Sequence, residues 1–115
     1  MMKKFDVLVI GSGPAGSSLA GLTSNKGLQT AIVESRAYGG TCPLRGCNPK
    51  KVLASAAKVI AHAENMRGKG IEGSTHINWQ DLIAFKQSFV DPVPAAEEKA
   101  YRNKVSQHFR VKLAL

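Results

Sequence analysis

Cys42 and Cys47 stand five positions apart in the run Gly39-Gly40-Thr41-Cys42-Pro43-Leu44-Arg45-Gly46-Cys47-Asn48-Pro49-Lys50-Lys51. Two cysteines so spaced, straddling the start of a helix, can bring their Cα atoms to the roughly 5.5 Å that a disulfide requires. Closing so small a ring adds little stability, because loop-closure stabilisation grows with loop length, so such a bridge suits opening and closing better than stapling. A helix N-terminus near Cys47, with Arg45, Lys50 and Lys51 close in sequence, favours its thiolate. Metal binding is the rival use of two thiols. It takes about four ligands, and His62, His76 and His108 show no zinc-ligand spacing, so no metal is expected.

A second group of residues points to a nucleotide. Gly11-Ser12-Gly13-Pro14-Ala15-Gly16 is G-x-G-x-x-G between an apolar β-branched run and a helix-forming stretch. Gly11 permits a sharp turn, Gly13 lets the backbone approach a pyrophosphate, Gly16 lets helix and strand pack closely, and the helix that opens at Pro14 and Ala15 offers free amides and a partial positive charge. Glu34, eighteen residues after Gly16, is placed to accept hydrogen bonds from an adenosine ribose. The competing reading is a glycine turn without ligand, and the motif by itself does not separate FAD from NAD.

These residues need elements to hold them. Residues 5–10 read as a strand, 14–26 as a helix stopped by Gly27, and 29–34 as a second apolar strand, which makes residues 5–34 one βαβ unit with a right-handed parallel crossover. Residues 35–48 read as a loop, with 39–48 carrying the cysteines. A helix is expected over about 49–66, opened by Pro49 in its first turn, with Val52, Leu53, Ala56, Val59, Ile60 and Ala63 as a core-facing stripe. Gly68, Gly70 and Gly73 break it. Asn78 and Asp81 resemble a capping box for a helix over about 78–90, which Pro92 and Pro94 end. A further helix over about 95–105 leads to an alternating strand-like run at 109–113.

Size and charge narrow the alternatives. At 115 residues the chain has room for one domain or part of one, and 43% hydrophobic with 21% charged residues is ordinary for a packed protein. The net charge of +8 invites a nucleic-acid reading, but residues 35–70 hold seven basic groups against one acidic group, so the excess gathers around the cysteines. Tyr38 is the one aromatic residue within it, too few for the stacking platforms that nucleic acid would require, and neither nucleic acid nor membrane is expected as a partner. Asp6 interrupts the apolar stretch at the start, against a signal peptide, and no apolar run approaches the roughly 18–20 residues that span a bilayer. A reducing, cytoplasmic setting is the default, where paired cysteines more often do chemistry than staple.

With GGTCPLRGCNPKK following GSGPAG and a strand-ending glutamate, the sequence resembles the class I pyridine nucleotide-disulfide oxidoreductases, the family of glutathione reductase, dihydrolipoamide dehydrogenase and mercuric reductase. The resemblance implies a Rossmann-like α/β unit binding FAD, with electrons passing from NADPH or NADH through the flavin to the disulfide and on to a small disulfide or dithiol substrate. Carried over by position, Cys42 matches the interchange thiol that meets substrate and Cys47 the charge-transfer thiol that faces the flavin. Lys51 matches the lysine near the flavin N5. Gly11, Gly13, Pro14, Ala15, Gly16 and Glu34 match FAD-binding positions, and Gly40 and Thr41 match loop residues that approach the flavin. Pro43-Leu44-Arg45 departs from the commoner Val-Asn-Val, and Lys50 stands where a serine is usual. The resemblance covers the first part of an FAD domain, so NAD(P) and dimerisation domains are expected to be absent from these residues, the complete enzyme to be a homodimer, and this chain alone to bind FAD weakly if at all and not to turn over NAD(P)H. Two other readings stay open: a flavin or nicotinamide enzyme without dithiol chemistry, and a small basic binding module.

Overall fold

Short β-branched runs separated by a helix bury their strands by pairing in parallel, and this chain does so. The computed structural model describes residues 2–105 and 107–110, with the side chains of Lys104 and Arg110 outside that description. Its elements in chain order are β1 (Val7–Ile10), α1 (Pro14–Asn25), β2 (Thr30–Glu34), α2 (Thr41–Arg45), α3 (Cys47–Asn65), α4 (Trp79–Val90), α5 (Val93–Lys104) and β3 (Gln107–Arg110). The sheet order is β1-β2-β3, all parallel, with Val7 opposite Thr30 and Ala31 opposite Gln107.

As the middle strand, β2 is the most buried: Thr30, Ala31 and Ile32 are fully covered. A strand flanked on both sides and covered on its faces needs near-continuous apolar residues, which is what TAIVE supplies. The polar exception, Thr30, shares a 2.9 Å hydrogen bond with the Thr23 hydroxyl of α1, so its burial leaves no orphan group. Val9, Ala20, Ile32, Tyr38, Tyr101 and Val105 close the core, with the Tyr38 and Tyr101 rings 5.5 Å apart. Tyr101 therefore ties α5 beneath the junction of β1 and α1.

Four expectations need correction. The segment at 35–48 is not all loop: Thr41–Arg45 forms a helical turn, and α3 begins at Cys47, two residues before the expected start. Pro49 sits in the first turn of α3, where its missing N–H costs nothing, so Cys47 and Asn48 can precede it within the helix. Pro92 and Pro94 do not separate two helices by a gap; Pro92 caps α5 and Pro94 lies in its first turn, so α5 starts at Val93. The strand after α5 begins at Gln107, earlier than the expected 109, and of the expected 109–113 run residues 111–113 lie outside the described residues. Finally, the apolar stripe of α3 faces no core: among its residues only Pro49 is buried, and Val59 is 61% exposed.

That last result reflects the shape of the molecule. α3 packs on α4, whose N-cap Asn78 accepts a hydrogen bond from the Asp81 amide as its sequence promises. The two helices form a hairpin that extends away from the sheet, and Trp79, Phe85 and Phe89 on α4 stay largely exposed. The radius of gyration is 20.3 Å, against about 13 Å for a compact domain of this length.

Candidate functional site

The ends of β1 and β2 place two loops against each other. Gly11 turns the chain with φ of 97° while its amide donates to the Val33 carbonyl at 2.8 Å, so the turn is anchored to the neighbouring strand. A Cβ at Gly16 would stand 2.0 Å from the Gly11 carbonyl oxygen, a distance no side chain tolerates. Gly13 is different. Its φ is −68° and a Cβ there would meet nothing nearer than 3.9 Å, so the protein itself does not require a glycine. Its bare backbone leaves the N-terminus of α1 open, where no side chain caps the first amides. This is the arrangement a pyrophosphate needs in order to approach.

The cysteine-bearing segment arrives on the other side. Gly40 has φ 74° and ψ −161°, and a Cβ on it would lie 2.4 Å from the Gly13 Cα, so the two segments touch backbone to backbone. α2 then carries Thr41 and Cys42, Gly46 breaks the helix, and Cys47 opens α3. A Cβ at Gly46 would be 2.9 Å from the Thr41 carbonyl oxygen, which explains the glycine between the cysteines. Between the two segments lies an open cleft of about 490 Å³, walled by Ile10, Gly11, Gly13, Pro14, Ala15 and Gly16 on one side and Thr41, Cys42, Gly46 and Cys47 on the other.

Both cysteines are thiols here, Cys42 half-buried and Cys47 exposed. They are hydrogen-bonded to each other, and that bond pushes the Cys42 thiol up and holds the Cys47 thiol below its ordinary range. Lys50 and Lys51 add positive potential that lowers Cys47 further, and Lys51 acts on Cys42 in the same sense. Among the described residues the ion pairs lie at Glu64 with Arg67 and at Glu98 with Arg102 and His108, so Arg45, Lys50 and Lys51 keep their charge for the thiols or a ligand. Cys47 is thus the group that ionises first, stabilised by the Cys42 S–H.

Glu34 closes the nucleotide end. Its Oε2 accepts from the Ser12 amide at 2.9 Å and the Ser12 hydroxyl at 2.6 Å, and its Oε1 accepts from the Arg36 amide at 2.9 Å. Burial alone would raise its pKa, but the bonds from Ser12 and Arg36 outweigh burial and hold it below the usual carboxylate value. A carboxyl group with a lowered folded pKa adds stability that is present above its unfolded pKa and is lost as pH falls through the folded value. We therefore expect urea midpoints to fall as pH drops below about 4.5 and Glu34→Gln to flatten that part of the profile. An unchanged slope in Glu34→Gln would show that the Ser12 and Arg36 bonds do not hold the ionised form.

The structure thus brings Gly11, Gly13, Pro14, Ala15, Gly16, Thr41, Cys42 and Cys47 to one cleft, with Gly40 and Glu34 beside it and Lys51 exposed near the N-terminus of α3. Sequence reasoning gave no role to Ser12, Gly39, Gly46, Tyr38 or Tyr101. Ser12 occupies an unspecified position of the glycine motif, and the two tyrosines signal nothing until α5 folds back. Among the described residues no three His, Cys, Asp or Glu side chains could together hold a metal ion, and no helix is long and apolar enough to cross a membrane.

A sequence profile of the pyridine nucleotide-disulphide oxidoreductases matches residues 5–112. The chain belongs to this family. A dihydrolipoyl dehydrogenase of Chlamydia trachomatis serovar D is 41% identical over 93 residues, which cover 78% of this chain and 20% of that protein. A dihydrolipoyl dehydrogenase of Chlamydia pneumoniae is 41% identical over 109 residues, covering 92% of this chain and 23% of the relative. A glutathione reductase of Burkholderia cepacia is 34% identical over 100 residues, covering 86% and 22%. The chain spans about a fifth of the length of these oxidoreductases. Its parallel sheet and glycine turn are those of a partial Rossmann-like α/β unit, consistent with the family match.

Proposed function

We propose that this chain is the N-terminal part of the FAD-binding domain of an NAD(P)H-dependent disulfide oxidoreductase, with Cys42 and Cys47 as its dithiol. The observation that carries the reading is the single cleft shared by the glycine turn, the N-terminus of α1 and both thiols. A dinucleotide fits what is there. Gly13 leaves the α1 amides uncovered for a pyrophosphate, Glu34 is an ionised acceptor for ribose hydroxyls, and Gly40 and Thr41 border the same space. When bound, FAD would supply the two-electron exchange between a nicotinamide and a disulfide that side chains cannot perform.

The chain's own residues then divide the work. Cys47, favoured as thiolate, is assigned to the flavin side; Cys42, whose pKa is raised, is assigned to meet a small disulfide or dithiol substrate. Lys51 holds positive charge beside the pair and is assigned to the flavin. Arg45 and Lys50, unpaired next to the dithiol, make the approach favourable to substrates carrying negative charge. The 115 residues alone hold the dinucleotide weakly if at all and do not turn over NAD(P)H; Ile10 on the wall of the cleft and Leu8 on the same strand are exposed here. The cytoplasmic setting and the homodimer of the complete enzyme belong to the same proposal.

The test is spectroscopic. The complete protein that carries this chain is expected to purify yellow and, on addition of NADH or NADPH, to show about two new thiols per subunit by thiol titration. Flavin reduction without new thiols would favour a flavin enzyme whose cysteines are incidental. A colourless protein retained on DNA would favour a basic binding module.

A further inference from the structure

Three donors already occupy the Glu34 carboxylate: the Ser12 amide and hydroxyl on Oε2, and the Arg36 amide on Oε1. The Ser35 amide also acts on this carboxylate, and a carboxylate offers about four acceptor positions, so at most about one is left. A ribose presents two vicinal hydroxyls. Two of the donors in place are backbone amides, one in the Gly11 turn and one just beyond β2, and they cannot move without moving the chain. The Ser12 hydroxyl, by contrast, turns about one single bond between staggered positions. A ribose that makes both its bonds to Glu34 therefore displaces the Ser12 Oγ–H.

That hydroxyl has a second bond, on the opposite side. Its Oγ accepts from the Gly39 amide at 3.1 Å, and both residues are buried, Ser12 being 1% exposed. Buried amides are held to a partner, so the Gly39–Gly40 backbone follows the oxygen or exchanges it for another acceptor. Gly40 rests directly on Gly13 and leads within two residues to Cys42. The adenosine end of the site and the thiol segment thus share one buried oxygen atom.

We infer that Ser12 is a positioning residue that couples nucleotide occupancy at Glu34 to the exposure and reactivity of the Cys42–Cys47 pair. This rests on the dinucleotide reading above and adds a regulation to it. Because binding free energies are reciprocal, the state of the thiol pair shifts nucleotide affinity by the same factor. Ligand and thiols act on two arrangements of one hydroxyl, which supplies the two-state element that coupling requires.

The test applies iodoacetamide, whose iodide a thiolate displaces, to the complete protein that carries this chain, reduced and stripped of flavin, with and without ADP, and resolves the alkylated cysteines by peptide mass spectrometry. ADP is expected to change the alkylation rate of Cys42 or Cys47 about fivefold in the unsubstituted chain. In Ser12→Ala the ratio of the two rates falls to one at saturating ADP. This ratio is taken within each variant, so a uniform loss of stability does not move it. If ADP merely shields the thiols, Ser12→Ala keeps the full ratio and the inference is overturned; it is equally overturned if ADP binds the unsubstituted chain without changing either rate. Should Ser12→Ala fail to fold, amide exchange decides: Gly39 N–H exchange must change on ADP binding to the unsubstituted chain, and unchanged protection overturns the coupling. A complete protein that binds neither ADP nor FAD overturns the dinucleotide reading itself, a result distinguishable from binding without coupling.

Discussion

Cys47→Ser is expected to lower disulfide reduction by the complete protein by more than about a thousand-fold in kcat, since removal of a covalently acting group typically costs at least this much. The flavin is expected to stay bound, because the nucleotide contacts proposed above lie on Gly13, Glu34 and the N-terminus of α1. The same reasoning predicts the behaviour of the free thiols. In the unsubstituted chain Cys47 is ionised before Cys42, chiefly through the hydrogen bond from Cys42 and then through Lys50 and Lys51. Its alkylation rate therefore rises with pH at values below those of an ordinary thiol, whose pKa is about 8.5. Cys42→Ala removes the leading cause and moves that profile up in pH; Lys50→Gln moves it in the same direction by less. A Cys47 profile that stays in place in Cys42→Ala would show that the two sulfurs do not share a proton. Retained disulfide reductase turnover in Cys47→Ser would assign the chemistry to another site.

Gly40→Ala is the second large effect, this time on stability. With φ 74° and ψ −161° the residue lies in a region that is essentially closed to side chains and costs about 1–3 kcal/mol to occupy otherwise. The added Cβ also stands 2.4 Å from the Gly13 Cα, and since both groups are backbone neither can swing aside. Overpacking of this kind adds about 1–3 kcal/mol, for an expected total of about 2–6 kcal/mol in chemical denaturation. Gly21→Ala is the internal comparison. It lies inside α1, a Cβ there meets nothing within 4 Å, and alanine is favoured over glycine in a helix by up to about 1 kcal/mol. Equal effects of the two substitutions would mean that the Gly13–Gly40 contact does not join the two segments. If the contact joins them, Gly40→Ala also loosens the thiol pair, because Cys42 follows two residues later on α2.

The turns and caps around the candidate site were legible in the sequence because they depend on local features. Gly11 requires a positive φ, Gly16 a missing Cβ against the preceding turn, and the Asn78–Asp81 cap a spacing of three, and each of these is set within a few residues. The apolar TAIVE run likewise marks a strand buried on both faces, and β2 is the centre of the sheet. Helix boundaries near prolines were less legible. Pro49, Pro92 and Pro94 all stand at helix starts, where proline is tolerated over several positions, so the sequence alone leaves the first residue of α3 and α5 uncertain by two.

What the sequence by itself determined is that Cys42 and Cys47 lie beside a glycine turn, and that basic residues surround them. What only the tertiary structure decided is how these parts meet. Gly40 touches Gly13, one Ser12 oxygen joins Glu34 to Gly39, and Cys42 donates to Cys47 so that one thiol is raised and its partner lowered. The stripe on α3, which reads as core-facing, lies against α4 and not the core, and Tyr101 rather than that stripe completes the core under the site. The physical reason is the same in each case. Turns, caps and helix phase are short-range and written in neighbouring residues, whereas contacts between residues tens of positions apart depend on how the strands are ordered, and that order is set only when the whole sheet packs.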